Sequence, residues 1–201
     1  AFMSRRFAEI HRTTAETDVA VSIDLDGSGV SEIDTGIGFF DHMLTLFASH
    51  GQFDLNVKCD GDIEVDGHHS VEDIGITMGQ SFHEAIGDKR GISRYGSFYL
   101  PMDETLVLAA LDISGRPFLV YDPGDAPMAP MIGGYDTELT EEFLRAFAFH
   151  AGITLHVKIL YGTNSHHKVE AVFKAVAHAL RTAVGKDERL GDAIPSTKGV
   201  L

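Results

Sequence analysis

His68-His69-Ser70-Val71-Glu72 returns at an offset of 98 (166 minus 68) as His166-His167-Lys168-Val169-Glu170. On a helix, residues three or four apart share a face, so Glu72 can sit beside His69 or His68. Adjacent histidines do not share one. They project roughly 100° apart around the axis, so a His-His pair serves two centres better than it chelates one. Two such stretches suggest two metal ions.

The likeness extends outward from this pair of stretches. Glu104-Thr105-Leu106-Val107 through Leu111-Asp112-Ile113-Ser114-Gly115 echoes Glu16-Thr17-Asp18-Val19 through Ile23-Asp24-Leu25-Asp26-Gly27 at an offset of 88 (104 minus 16). Leu144, Phe147, His150, Val157 and Lys158 match Leu44, Phe47, His50, Val57 and Lys58 at an offset of 100. Ala85-Ile86-Gly87 falls on Ala183-Val184-Gly185 at 98. Three blocks in one order indicate a duplication. The offset grows across residues 123–134, a stretch rich in Pro and Gly, where a loop tolerates insertion. The expected fold is α+β with two duplicated halves, each a mixed or antiparallel sheet with helices on one face. Residues 1–93 form the first half and 94–201 the second, with the join near residues 91–96 and the whole integrated as one domain.

Within the first half, residues 7–26 read as an extended hairpin, with Val19, Val21, Ile23 and Leu25 alternating against polar neighbours. Strands are expected over 30–33, 53–57 and 63–66. Helices are expected over 39–50 and from the His-His stretch to about Ile86, where Gly87 stops the second. Residues 194–199 have no periodicity and read as a loop or arm.

The 201 residues suffice for one sizeable core or two small, closely packed halves. No apolar run reaches the length of a membrane span, and the start lacks the pattern of a secretory signal. Ala1-Phe2 ahead of Met3 reads as an appended remnant. A formal charge of -14 argues against nucleic acid or a membrane surface as a partner, since both need a basic field. The single cysteine, Cys59, excludes an internal disulfide and fits a reducing, cytoplasmic setting, with a buried strand thiol expected. Eleven histidines point towards metal. The ligand types, imidazole and carboxylate without thiolate, suit Mn, Fe or Zn and disfavour a closed structural zinc site. Where the halves differ, the difference marks the asymmetric part of the task. Lys174 stands opposite Ile76, and Asp73 opposite Ala171.

The chain closely resembles the imidazoleglycerol-phosphate dehydratase family. The resemblance rests on Gly36-Ile37-Gly38-Phe39-Phe40-Asp41-His42-Met43, Asp66-Gly67-His68-His69-Ser70-Val71-Glu72-Asp73, Pro101-Met102-Asp103-Glu104, Ser114-Gly115-Arg116-Pro117, Asn164-Ser165-His166-His167 and Pro195-Ser196-Thr197-Lys198-Gly199. It implies helices packed between two sheets, in the fold of the second domain of a ribosomal small-subunit protein. It also implies removal of water from D-erythro-imidazole-glycerol phosphate to give imidazole-acetol phosphate, in histidine biosynthesis. Two Mn(II) ions per active site are implied, shared between subunits of a homo-oligomer, an octahedral 24-mer. One metal would take His42, His69, Glu72 and a neighbouring chain's His167. The other would take His68, His166 and Glu170.

Glu142 departs from the family pattern, which often has histidine there. It is the repeat counterpart of His42 (142 minus 100), and we expect it to ligate in place of the imidazole. The substrate phosphate needs converging cations in so acidic a chain. Arg94, Arg116, Lys174 and Lys198 are the candidates, with Ser196 as hydroxyl donor and the C-terminal arm as part of the site. For the proton on the carbon beside the ring, Glu16 is the better carrier and Glu170 the alternative, because a metal ligand has fewer lone pairs to spare. Two other classes are consistent with the donor set: a metal-dependent hydrolase releasing inorganic phosphate, and a non-enzymatic metal-binding assembly protein. The second has no use for the arginines.

Overall fold

In the computed structural model, residues 5–201 are described. Ala1-Phe2 lies outside them. Alternating burial builds an antiparallel hairpin from β1 (Phe7–Thr13) and β2 (Thr17–Asp24), with Val19, Val21 and Ile23 turned inward. β3 (Ser31–Asp34) leads into α1 (Gly38–Gly51), and β4 (Asp54–Gly61) into α2 (His68–Ile86). The second half repeats the plan. It comprises β5 (Tyr95–Met102), β6 (Thr105–Asp112), β7 (Phe118–Asp122), the short hairpin β8 (Met131–Ile132) and β9 (Tyr135–Asp136), α3 (Leu139–Ala151), β10 (Thr154–Tyr161) and α4 (Ser165–Val184).

The two four-stranded sheets have equivalent orders, β1-β2-β4-β3 and β5-β6-β10-β7, each with one parallel pair at the β3 or β7 edge. α2 packs on β1 and β2, α4 on β5 and β6, and the helices meet crosswise, α2 against α3 and α1 against α4. Four helices are therefore held between two sheets. The centre is aromatic and drawn from both halves: Phe47 and Phe147 lie edge to face at 6.0 Å, and Phe143 stacks on Phe173 at 5.3 Å. Each such side chain contributes roughly 1.5–3 kcal/mol by leaving water. Cys59 is a buried free thiol in β4.

The sheets' outer faces differ. The first carries Glu9, Glu32, Asp34, Asn56 and Lys58, while the second exposes Tyr95, Tyr99, Phe118 and Val120. The strand expected over 63–66 is absent. Those residues turn, with the Val65 N–H donating to the Asp62 carbonyl at 2.9 Å, and both Ile63 and Val65 are exposed. Their alternation has no neighbouring strand to pair with, because β4 already occupies its place between β2 and β3.

Candidate metal centre

Both histidine pairs open helices, and equivalent residues fix those openings. The Asp66 side chain accepts the His68 N–H at 2.8 Å, and Asn164 accepts that of His167 at 3.1 Å. From the first turn of α4, His166 Nε2 reaches Glu170 Oε2 at 2.9 Å. α1 packs on this face and brings His42 Nε2 to 3.6 Å from the same oxygen. One donor atom from each of the three lies within 4.8 Å of the others. Among the described residues this is the one such trio. Glu170 is 6% exposed, and its other oxygen meets Lys174 Nζ at 2.5 Å. Burial alone would raise this carboxyl. The bonds from Lys174 and His166 outweigh it and hold Glu170 below its ordinary value.

The repeat places a second group at the other helix pair. His68 Nε2 stands 3.5 Å from Glu72 Oε2, one turn along α2. Glu142, on α3, lines the same cleft of about 640 Å³ as His68 and is ion-paired with Arg145.

His69 and His167 are held by carboxylates outside both groups. His69 Nδ1 meets Asp62 at 2.9 Å, with Glu16 at 3.7 Å. His167 Nδ1 meets Glu104 at 2.8 Å. Each carboxylate raises the pKa of its imidazole above the ordinary value, the direct hydrogen bond being the main cause. Glu104 is held far below the usual carboxylate range by that bond and by the Asn164 N–H.

Within one chain the donors group differently from the sets that the family resemblance implies. His42 joins His166 and Glu170 rather than His69 and Glu72, because α1 lies on α4 and not on α2. Glu72 stands with His68, four residues before it, which is the helical neighbour its side chain reaches. His166 and Glu170 are not beside His68. No single chain completes either implied set.

The phosphate candidates separate in a comparable way. Arg94, at φ 70°, makes two bonds to Asp112 (2.7 and 3.1 Å) and donates to the Pro195 carbonyl at 2.8 Å, so it ties the arm to β6. Arg116 is largely exposed beside the same aspartate, at 3.8 Å. Ser196 Oγ accepts the Lys198 N–H at 3.2 Å, and Lys198 is exposed. Lys174 belongs elsewhere: it precedes Ala183, whose carbonyl meets the Arg94 N–H, by nine residues, roughly 13 Å along α4. Asp73 is structural. It accepts from Thr17 at 2.5 Å and from Arg12 at 3.3 Å inside the first half. Asp62 escaped sequence reasoning, since a carboxylate seven residues before a histidine carries no helical signal.

A duplicated α+β sandwich with imidazole–carboxylate groups where its halves meet defines the class of protein. A family profile described as "Imidazoleglycerol-phosphate dehydratase" matches residues 35–180. A curated relative of that name from Acetivibrio thermocellus is 58% identical over 199 residues, covering 99% of this chain and 100% of the relative. One from Dinoroseobacter shibae is 60% identical over 196 residues, covering 98% of this chain and 100% of its own length. The crystal structure of imidazoleglycerol-phosphate dehydratase from Staphylococcus aureus superposes with a TM-score of 0.81 at 42% identity, covering 90% of this chain and 99% of that one. One from Pyrococcus furiosus gives 0.80 at 38%, covering 96% and 100%. The chain belongs to the imidazoleglycerol-phosphate dehydratase family, whose members are hydro-lyases.

Proposed function

We propose that this chain dehydrates D-erythro-imidazole-glycerol phosphate to imidazole-acetol phosphate in histidine biosynthesis, and that it does so with two Mn(II) ions per active site. The supporting observation is the trio His42, His166 and Glu170, with Lys174 beside it, in a chain that matches named dehydratases along nearly their whole length. The donors fit such an ion: two imidazole nitrogens and a carboxylate oxygen, with no thiolate, and Lys174 engages the oxygen of Glu170 that the imidazoles leave alone. His68, Glu72 and Glu142 form the second set by the same repeat. When bound, the ions supply positive charge that favours the anionic form of the substrate's imidazole ring.

The chain's own residues do the rest. Among the described residues, the Glu16 side chain makes no hydrogen bond and is about half exposed (52%), so its carboxylate is available to carry the proton from the carbon beside the ring. Glu170 is the alternative, but both its oxygens are engaged. Arg116, Lys198 and Ser196 supply donors for the phosphate, with Arg94 anchoring the arm that carries two of them. Lys174 reaches the same phosphate across a contact between copies.

His69 and His167 stand in neither three-residue set, and each has its Nδ1 on a carboxylate, which leaves Nε2 to serve a neighbouring copy. This supports a homo-oligomer whose active sites are shared, with a neighbour's imidazole completing each set. The apolar outer face of the second sheet offers such copies a surface, and the octahedral 24-mer is the assembly we propose. No described helix is long and apolar enough to cross a membrane. A cytoplasmic setting is part of the same reading, supported by the free, buried Cys59.

The test is release of the ketone from imidazole-glycerol phosphate by purified protein, metal-free and then reloaded with Mn(II). Turnover that returns with the metal supports the reading. Inorganic phosphate as the product, or full turnover in excess chelator, defeats it.

A further inference from the structure

We infer that Asp62 and Glu104 are positioning residues that set His69 and His167 for coordination, and that Asp62 thereby releases Glu16 from that duty. The inference rests on the metal reading above and deepens it.

The observations are geometric. Glu104 lies in the turn between β5 and β6, and its Oε2 faces His167 Nδ1 at 2.8 Å. Its Oε1 accepts the N–H groups of Thr163 (3.1 Å) and Asn164 (2.7 Å) and the Thr105 hydroxyl (2.9 Å). The carboxylate is thus fixed on four sides before any ligand arrives. A ring that donates Nδ1–H to such an acceptor keeps its proton there, and the lone pair on Nε2 is left for a metal. Among the described residues the carboxylate that faces His167 Nε2 is that of Asp103, no nearer than 3.9 Å.

The first half reaches the same end with a different residue. By the repeat, Glu16 is the counterpart of Glu104 (104 minus 88) and His69 that of His167 (167 minus 98). A strict copy would have Glu16 holding His69. Instead Glu16 stays back at 3.7 Å, and Asp62, just past the end of β4, takes Nδ1 at 2.9 Å. Among the described residues the other Asp62 oxygen is buried and has no hydrogen-bond partner, so the imidazole is the side chain this carboxylate holds. At the offset of 100 that carries β4 onto β10, the second-half position matching Asp62 is Gly162, which has no side chain. One half therefore uses its glutamate as a clamp, and the other, with an added aspartate, keeps the equivalent glutamate unclamped.

Asp62→Asn and Glu104→Gln test the first part. Each amide can donate to Nδ1, which moves the ring proton to Nε2, the nitrogen that the metal requires. Manganese titration of metal-free enzyme, followed by electron paramagnetic resonance, should show Mn(II) affinity falling about 10–100-fold in each variant. Nitrogen NMR of the metal-free protein should show the tautomer of the matching histidine reversed. A purely structural carboxylate would lower the melting temperature and move neither readout. Asp62→Leu tests the second part by removing the carboxylate that the second half lacks: His69 then falls to Glu16, so kcat should stay low even at saturating Mn(II). Full recovery of kcat at saturation overturns the release of Glu16. Unchanged Mn(II) affinity in both amide variants, beside a wild type that binds tightly, overturns the positioning role alone. A wild type that binds no Mn(II) overturns the metal reading and the inference with it.

Discussion

The two helix pairs at the centre come from one duplicated unit, yet they meet differently. In α2, an added Cβ would lie 2.8 Å from Ala146 Cβ at Gly75, and 2.7 Å from both the Phe147 carbonyl and His150 Cβ at Gly79. α3 therefore rests almost on the α2 backbone. The counterparts on α4 are Phe173 and Ala177, which hold α1 further out. The surface thus opened is lined by His166, Glu170, Lys174 and His178, four residues apart, whereas α2 has His68, Glu72, Ile76 and Gln80 at those places. A few side-chain volumes decide how closely a neighbouring helix approaches each copy of the repeated face.

The sharpest way to break this comparison is to remove one donor from each pair. Glu170→Ala takes a carboxylate from the assembled trio and should lower kcat on the order of 10³-fold, the equivalent of several kcal/mol of charge stabilisation. Glu142→Ala acts on the looser group. It should cost one of two bound metal equivalents by elemental analysis and reduce kcat about 10²-fold. Equal kinetic losses would make the two groups interchangeable, and full metal content in Glu142→Ala would return that residue to a simple ion pair with Arg145.

Packing offers a smaller effect. Gly79→Ala drives a methyl into the α3 backbone and should destabilise the fold by about 1–3 kcal/mol in urea titrations. Ala177→Gly at the counterpart should cost only about 1 kcal/mol, the helix-propensity difference. If the two variants melted alike, close approach would not be what distinguishes the pairs.

The smallest effect is a pH dependence confined to the α1–α4 side. His50 Nδ1 lies 2.9 Å from His178 Nε2, and burial lowers both pKa values. Lys174 adds to this at His50, while Glu170 opposes it; at His178 the contributions of His50 and Arg181 add to burial. The unfolded chain then binds more protons near and below its ordinary pKa of ~6.5 than the folded one does. Stability from this pair is present above that value and is lost as pH falls towards the folded pKa values. Denaturation midpoints between pH 7 and 5 should fall less steeply in His178→Gln than in the wild type. Parallel curves would exclude the pair.

Much of this was legible beforehand because duplication writes the same physics twice. The offset of 88 carries β2 onto β6, and that of 100 carries β4 onto β10. The helix boundaries followed from Gly87 and from the apolar spacing of α1. The grouping of His42 with His166 was not legible, since sequence spacing reports neighbours along one helix and not which helix packs on which. Residues 63–66 misled for a related reason: alternation predicts a strand only where a partner is available. Asp62 was silent because its role exists only by comparison with Glu104.

The crosswise meeting of the helices bears on where such a chain came from. Neither half closes its own interior, since each helix finds its helical partner in the other. A lone ancestral half would have left that apolar surface in water, so it must have lived as a twofold-symmetric pair, and the fusion that joined the two genes sealed a former dimer contact inside one polypeptide. Severed between the sheets, the modern fragments should each be insoluble alone and should find one another again when refolded together.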